Sequence, residues 1–396
     1  MLRCILSRWF LFFSLSATAL TACRVPPPQP SAPATPTSEP APVASDTPPP
    51  VPTPTVVTAE AFPLSQPGPF FPGKLRPVLE GAQRDGSDLP ITVWYPAIQP
   101  EGFAGTVAAK AAPDLTQAPY PLLIGPTIFL ERFGVHLASH GFVAAGVDFQ
   151  GPSGQWGPWL IDYPLETLAM LDRLAAGGVP ELEAAIDAKN TGAVGYSFSG
   201  YNTLAMSGAR VDPQFYLEQC ASPPALSGSS AEDVVVQGVF DYFCSLSKDW
   251  EALAEHAGEA LTRSEDGLWQ PMTDPRIRAV MPMALEGSYL FGERGLGFVD
   301  RPVLMIVGSE DSRDTDFETE SLWVFERMGE PDRGLIAFLG QEHMMVFDLE
   351  PAERMQHFIT AFFGHRLQGR DEYAAYYSPE FVAQFGDLQW FGPPAD

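Results

Sequence analysis

Apolar positions along this chain follow two alternating periods. Leu89 to Tyr95 (LPITVWY) alternates and predicts a strand. Pro121–Ile124 and Phe142–Asp148 are short apolar runs of strand length, separated by a helical stretch that ends at Ser139-His140-Gly141. Leu165 to Leu174 has helical spacing, with Leu165, Leu168, Leu171 and Leu174 toward one side. Thr191–Val194, Ile277–Ala284, Val303–Val307 and Leu335–Leu339 again read as strands, and Ser321–Met328 and Ala352–Phe363 as helices. Such alternation predicts an α/β fold with a mostly parallel central sheet flanked by helices. Between about residues 209 and 274 the rhythm breaks into an insertion rich in Phe, Tyr, Leu, Trp and acidic residues. There it forms either a cap over the carboxyl edge of the sheet, where open α/β folds bind ligands, or a peripheral helical decoration.

The first residues follow another logic. Arg3 and Arg8 bracket a short basic region, and Trp9 to Leu20 is an apolar run too short for a permanent membrane helix. The run ends in Leu20-Thr21-Ala22-Cys23, which resembles the lipobox of bacterial lipoproteins. That resemblance implies cleavage after residue 22 and a lipid on Cys23. From there to residue 58 the chain is Pro, Ala, Thr, Ser and Val, with runs such as Pro26-Pro27-Pro28 and Pro48-Pro49-Pro50. It cannot bury a core, and proline keeps it extended enough to hold a domain up to roughly 100 Å from a membrane. The expected organisation is a signal peptide over 1–22, a lipid-anchored linker over 23–58, and a folded domain over 59–396. The location this implies is extracytoplasmic, on the outer membrane if the host has one, because Arg24 replaces the aspartate that signals inner-membrane retention.

Composition narrows the function. With Cys4 in the signal region and Cys23 as anchor, only Cys220 and Cys244 remain in the folded part. In an oxidising compartment they are a candidate disulfide. No cluster of Cys and His has zinc spacing, so no metal site is expected. A formal charge of −26 argues against nucleic acid or an anionic membrane surface as the main partner.

The chemistry is carried by Gly195-Tyr196-Ser197-Phe198-Ser199-Gly200, which follows a short strand and opens a helical pattern. That is the context of a nucleophile elbow, in which strain at the serine requires small residues two before and two after it. Gly195 and Ser199 meet the requirement. The elbow aims the Phe198 N–H at a developing oxyanion. The acid and base should follow in the order Ser, Asp, His. Asp311 comes just after the Val303–Val307 strand, with Glu310, Asp314 and Asp316 as rivals. Among six histidines, His343 alone sits on a post-strand loop beyond the acid; His136, His140, His256, His357 and His365 fall in helical or inserted stretches. Ser197, Asp311 and His343 thus form a candidate triad working through an acyl-enzyme, with no cofactor.

Several stretches resemble the bacterial predicted dienelactone hydrolases, relatives of platelet-activating-factor acetylhydrolases and of bacterial polyesterases. They are Arg84-Asp85-Gly86, Val93-Trp94-Tyr95-Pro96-Ala97, Leu137-Ala138-Ser139-His140-Gly141-Phe142, Ile186-Asp187, Leu290-Phe291-Gly292 and Arg301-Pro302-Val303-Leu304. The resemblance covers most of residues 80 to 365 and implies an α/β-hydrolase fold and hydrolysis of carboxylic esters. True dienelactone hydrolase uses a cysteine nucleophile, where this chain has Ser197. Relatives also carry histidine before the serine and glycine two after it, whereas here Tyr196 and Ser199 stand. Their first oxyanion donor lies in a glycine-rich loop; the corresponding Gly125-Pro126-Thr127-Ile128-Phe129-Leu130 is shorter, and the Thr127 N–H is the expected donor. The expectation is a lipid-anchored serine esterase acting on small or lipid-like acyl esters or polyester oligomers. A non-catalytic ligand-binding lipoprotein on the same fold and a serine amidase or peptidase are the alternatives.

Overall fold

The central strands form where the sequence is a short apolar run, and they gather into one sheet because they are buried on both faces. In the computed structural model the described residues are 61–148, 157–224, 231–311 and 317–393. All belong to the unit Val56–Asp396. Cys23 and the proline-rich stretch lie outside them.

Eleven strands occur among the described residues: β1 Phe71–Leu75, β2 Val78–Leu79, β3 Leu89–Ala97, β4 Ala108–Ala109, β5 Tyr120–Pro126, β6 Val143–Val147, β7 Ile186–Tyr196, β8 Ile277–Met283, β9 Val303–Gly308, β10 Arg333–Phe338 and β11 Leu388–Phe391. They form a sheet in the order β11-β10-β9-β8-β7-β5-β6-β3-β1-β4, with β2 on β3. From β6 to β10 every neighbour is parallel; β3 runs against both β6 and β1, and β11 runs against β10. The seven strands read from the sequence are all present. The class is mixed α/β with a mostly parallel sheet.

Alternation along each central strand feeds two cores. Leu122 and Ile124 point into one hydrophobic cluster and Leu123 into the other. The first cluster is closed by α2 (Trp159–Ala175) and α3 (Phe198–Ala205), through Leu160, Met170, Leu171, Tyr201 and Leu204. The second is closed by α1 (Thr127–Ser139) and α10 (Leu349–Gln368), through Leu130, Phe133, Leu137, Met355, Phe358 and Phe362. Covering both faces is what a parallel sheet requires. Phe62 joins the second cluster, and the Leu64 N–H donates to His357 Nδ1 at 3.1 Å.

Between α3 and β8 the insertion is helical: α4 (Pro213–Cys220), α5 (Ala231–Phe243), α6 (Trp250–Ala257) and α7 (Glu259–Thr262). α4 starts where Asp212 accepts from the Phe215 N–H at 3.2 Å and Pro213 opens the helix, two signals that favour a helix start. Cys220 and Cys244 are bonded, tying the end of α4 to the end of α5. The insertion packs on the body through rings: Phe215 stacks on Trp323 and Phe243 on Tyr289. Tyr289 belongs to α8 (Ser288–Leu296) and Trp323 to α9 (Trp323–Arg327). A short α11 (Pro379–Val382) precedes β11.

Candidate active site

The turn from β7 into α3 is built by small residues. Ser197 has φ 58° and ψ −129°, a left-handed conformation that a non-glycine residue adopts at a cost of order 1–3 kcal/mol. The turn closes tightly enough that a Cβ on Gly195 would lie 2.2 Å from the Ser199 carbonyl oxygen, and one on Gly200 would lie 2.8 Å from Leu285 Cα. Ser199, in place of a glycine, stitches the turn to itself: its hydroxyl donates to the Tyr196 carbonyl at 2.7 Å and accepts from the Tyr196 N–H at 3.1 Å. The Ser197 N–H donates to the Met283 carbonyl of β8 at 2.9 Å.

Two loops from other strands meet the serine. His343, after β10, places Nε2 2.8 Å from Ser197 Oγ. Its Nδ1 lies 3.1 and 3.0 Å from the two carboxylate oxygens of Asp311, which follows β9 and is 1% exposed. Of the rival acids, Glu310 is exposed, while Asp314 and Asp316 lie outside the described residues. Tyr196 then has a clear role. Its hydroxyl donates to the His343 carbonyl at 2.6 Å, and burial holds the phenol well above its ordinary range, so it remains a donor. The other histidines serve elsewhere. His136 Nε2 lies 3.1 Å from Thr360 Oγ1, His140 meets the Gln66 carbonyl, His256 pairs with Asp162 and His365 meets the Tyr377 hydroxyl.

The two expected oxyanion donors stand at helix starts. Phe198 opens α3 and Thr127 opens α1, whose first-turn amides have no acceptors within the helix. Thr127 lies close against β6: its Cα, Oγ1 and backbone N would stand 2.7, 2.7 and 2.8 Å from a Cβ on Gly146. The next residue, Ile128, is 76% exposed and lines the cavity that holds Ser197. That cavity, of about 230 Å³, is otherwise bounded by Phe129, Arg132, Phe133, Tyr196, Ser199, His343, Met344, Val346 and Phe347. It is an apolar pocket with the serine and histidine at its wall.

A second carboxylate at the site was not foreseen. Glu286, on the loop after β8, is 4% exposed, and the Ser197 hydroxyl is within donating distance of its Oε1 at 3.2 Å. The Tyr242 hydroxyl of the insertion donates to its Oε2 at 3.0 Å. The insertion therefore reaches the edge of the sheet that carries Ser197. The loop is pinned from below by Glu320, whose carboxylate accepts from the Gly287 N–H at 2.5 Å, the Ser288 N–H at 2.7 Å and the Ser288 hydroxyl. Burial pushes the Glu320 carboxyl up to about 7. No motif spacing marks Glu286; only the pairing of β8 beside β7 brings it to the serine.

Among the described residues no group of three or more His, Cys, Asp or Glu is arranged to hold a metal ion. None of the described helices is long and apolar enough to cross a membrane. A scan against protein-family models finds no match and a search of curated proteins finds none either, so the functional reading rests on the geometry of this site.

Proposed function

We propose that this protein is a serine hydrolase that cleaves carboxylic esters through an acyl-enzyme. The observation that carries the reading is the unbroken series of contacts from Asp311 through His343 to a strained Ser197 at the end of a parallel strand. His343 takes the Ser197 proton as Oγ attacks the ester carbonyl, and Asp311 orients the imidazole and stabilises its cation. The oxyanion is received by the Phe198 N–H and a first-turn amide of α1, from Thr127 or Ile128. Collapse breaks the carbon–oxygen bond to the alcohol, which leaves with the proton from His343. Water, deprotonated by the same imidazole, then attacks the acyl carbon, and the carboxylic acid departs as Ser197 regains its proton.

The strand–turn–helix context of Ser197 and the chain order Ser, Asp, His support an α/β-hydrolase fold of the dienelactone hydrolase and platelet-activating-factor acetylhydrolase kind. The apolar cavity beside the serine supports an acyl or alcohol group of low polarity as one part of the substrate, in small esters or polyester oligomers. The lipobox-like residues support attachment through Cys23 to the outer face of a bacterial membrane.

The test is release of p-nitrophenol from the acetate and butyrate esters by the protein and by Ser197→Ala. We expect the variant to lose roughly 10⁴-fold or more in kcat. Equal turnover by both proteins would place the nucleophile elsewhere. Turnover of the corresponding p-nitroanilide as fast as the ester would favour an amidase.

A further inference from the structure

We propose that Arg132 is a positioning residue that holds His343 in register with the oxyanion amides across the cavity beside Ser197; the inference rests on the hydrolase reading above. That cavity is a cleft between two elements. Ile128, Phe129 and Phe133 of α1 form one wall, and Met344, Val346 and Phe347 form the other. The second wall is the short 3-10 helix His343–Phe347, which begins with the proposed base. Apolar contact is non-directional, so it presses such walls together without fixing their register. Arg132 supplies the direction. It stands on α1 among the cavity residues, and its Nη2 donates to the Phe347 carbonyl at 3.2 Å and to the Asp348 carbonyl at 3.1 Å, joining the two walls.

The end of that helix is where a donor is needed. Its last carbonyls have no amide ahead of them within the helix, and their partial negative charge favours a cation. The neighbouring Glu131 is engaged with Lys74 and Arg76, so the Arg132 guanidinium is given to backbone carbonyls. At its other end the same helix is held by the Tyr196 hydroxyl, on the His343 carbonyl at 2.6 Å. Four residue steps of 3-10 helix set the two anchors about 8 Å apart. A single anchor leaves the segment free to swing, carrying Nε2 off its 2.8 Å line to Ser197 Oγ; a second anchor removes the swing. Tyr196 refers the base to β7 and the nucleophile, and Arg132 refers it to α1 and the oxyanion amide. Proton transfer and oxyanion binding belong to one transition state, where a misplacement of about 1 Å can cost roughly a hundredfold in rate. Because His343 serves acylation and deacylation alike, misplacing it slows both steps together, which lowers kcat and leaves KM nearly as it was.

The experiment measures kcat and KM for p-nitrophenyl acetate and butyrate with the full chain, Arg132→Met and Arg132→Lys, each shown to be folded by its urea midpoint. Methionine keeps an unbranched apolar stem on the cavity wall and removes the donors. Lysine keeps the charge but ends one bond short. We expect Arg132→Met to lower kcat about tenfold on both esters, with KM within about twofold of the wild type, and Arg132→Lys to fall between the two. Where Arg132→Met does not fold, a kcat loss at unchanged KM in Arg132→Lys carries the test. A kcat in Arg132→Met equal to that of the wild type overturns the inference. So does a loss confined to KM, or one larger for butyrate than for acetate, which marks Arg132 as cavity wall alone. In each of these cases, turnover that Ser197→Ala abolishes leaves the hydrolase reading standing. No turnover of either ester by the wild type, or turnover that Ser197→Ala leaves unchanged, overturns both.

Discussion

At Tyr196 a phenol holds His343, the proposed base, by its backbone, because the hydroxyl donates to the His343 carbonyl at 2.6 Å. Removing the hydroxyl leaves that carbonyl without its buried donor and loosens the loop that aims Nε2. Tyr196→Phe should therefore lower kcat about tenfold with little change in KM, and cost about 1 kcal/mol of stability. An unchanged kcat in steady-state assays would show that the loop needs no such support. The strained turn at Ser197 was legible from the sequence because Gly195 and Ser199 stand on the fixed spacing that such a turn demands. The meeting of His343 and Asp311 with it was legible because both follow apolar runs of strand length. Glu286 was not, since its place depends on β8 pairing with β7 and on a phenol from the insertion. In the α1 turn the sequence pointed to the Thr127 N–H, and the pocket beside it is lined by the next residue, Ile128.

At the scale of elements, the insertion is helical and cross-linked. Cys220 and Cys244 close a loop across a sequence separation of 24, and the bond follows Tyr242 by two residues. Replacing both cysteines by serine should destabilise the protein by about 3 kcal/mol through the freedom returned to the unfolded chain. The midpoint of urea unfolding reads this directly, and a midpoint unmoved by the double substitution would mean that the bond contributes nothing. Legibility differed among elements for reasons of length and composition. β5 to β10 declare themselves as apolar runs, whereas β2 and β4 are two residues long and β1 contains Pro72 and Gly73. Gly73 is dictated by a partner distant in sequence, since a Cβ there would meet the Tyr95 ring at 2.7 Å. The stretch read as a helix over Ser321–Met328 starts instead as a wide π-type turn, Phe317–Leu322, which turns Glu320 inward to the loop after β8 before α9 begins.

For the molecule as a whole, the two cores bury groups that prefer to be neutral, and stability must then depend on pH. Burial pushes His136 and His357 down to about 3, from an ordinary 6.5. Between those values the unfolded chain binds protons that the folded one refuses. Each histidine's contribution is therefore whole above pH 6.5 and is lost toward pH 3, at about 1.4 kcal/mol per pH unit. Glu320 works the other way: raised to about 7, its contribution is whole below its ordinary 4.5 and is lost as pH rises through 7. Two histidines against one carboxyl leave a net loss of about 1.4 kcal/mol for each unit of acidification between about pH 6.5 and 4.5. The expected outcome is a urea midpoint clearly lower at pH 5 than at pH 6.5; equal midpoints would contradict the neutral, buried state of the two histidines.

The insertion has one more consequence. It leaves the body after α3 and returns at β8, while Ser197, Asp311 and His343 follow β7, β9 and β10. That cluster and the reach of Tyr242 are thus written in separate stretches of text. A lineage, or an engineer, could rewrite residues 209–274 without respelling the cluster, provided Glu286 still finds a hand to hold it.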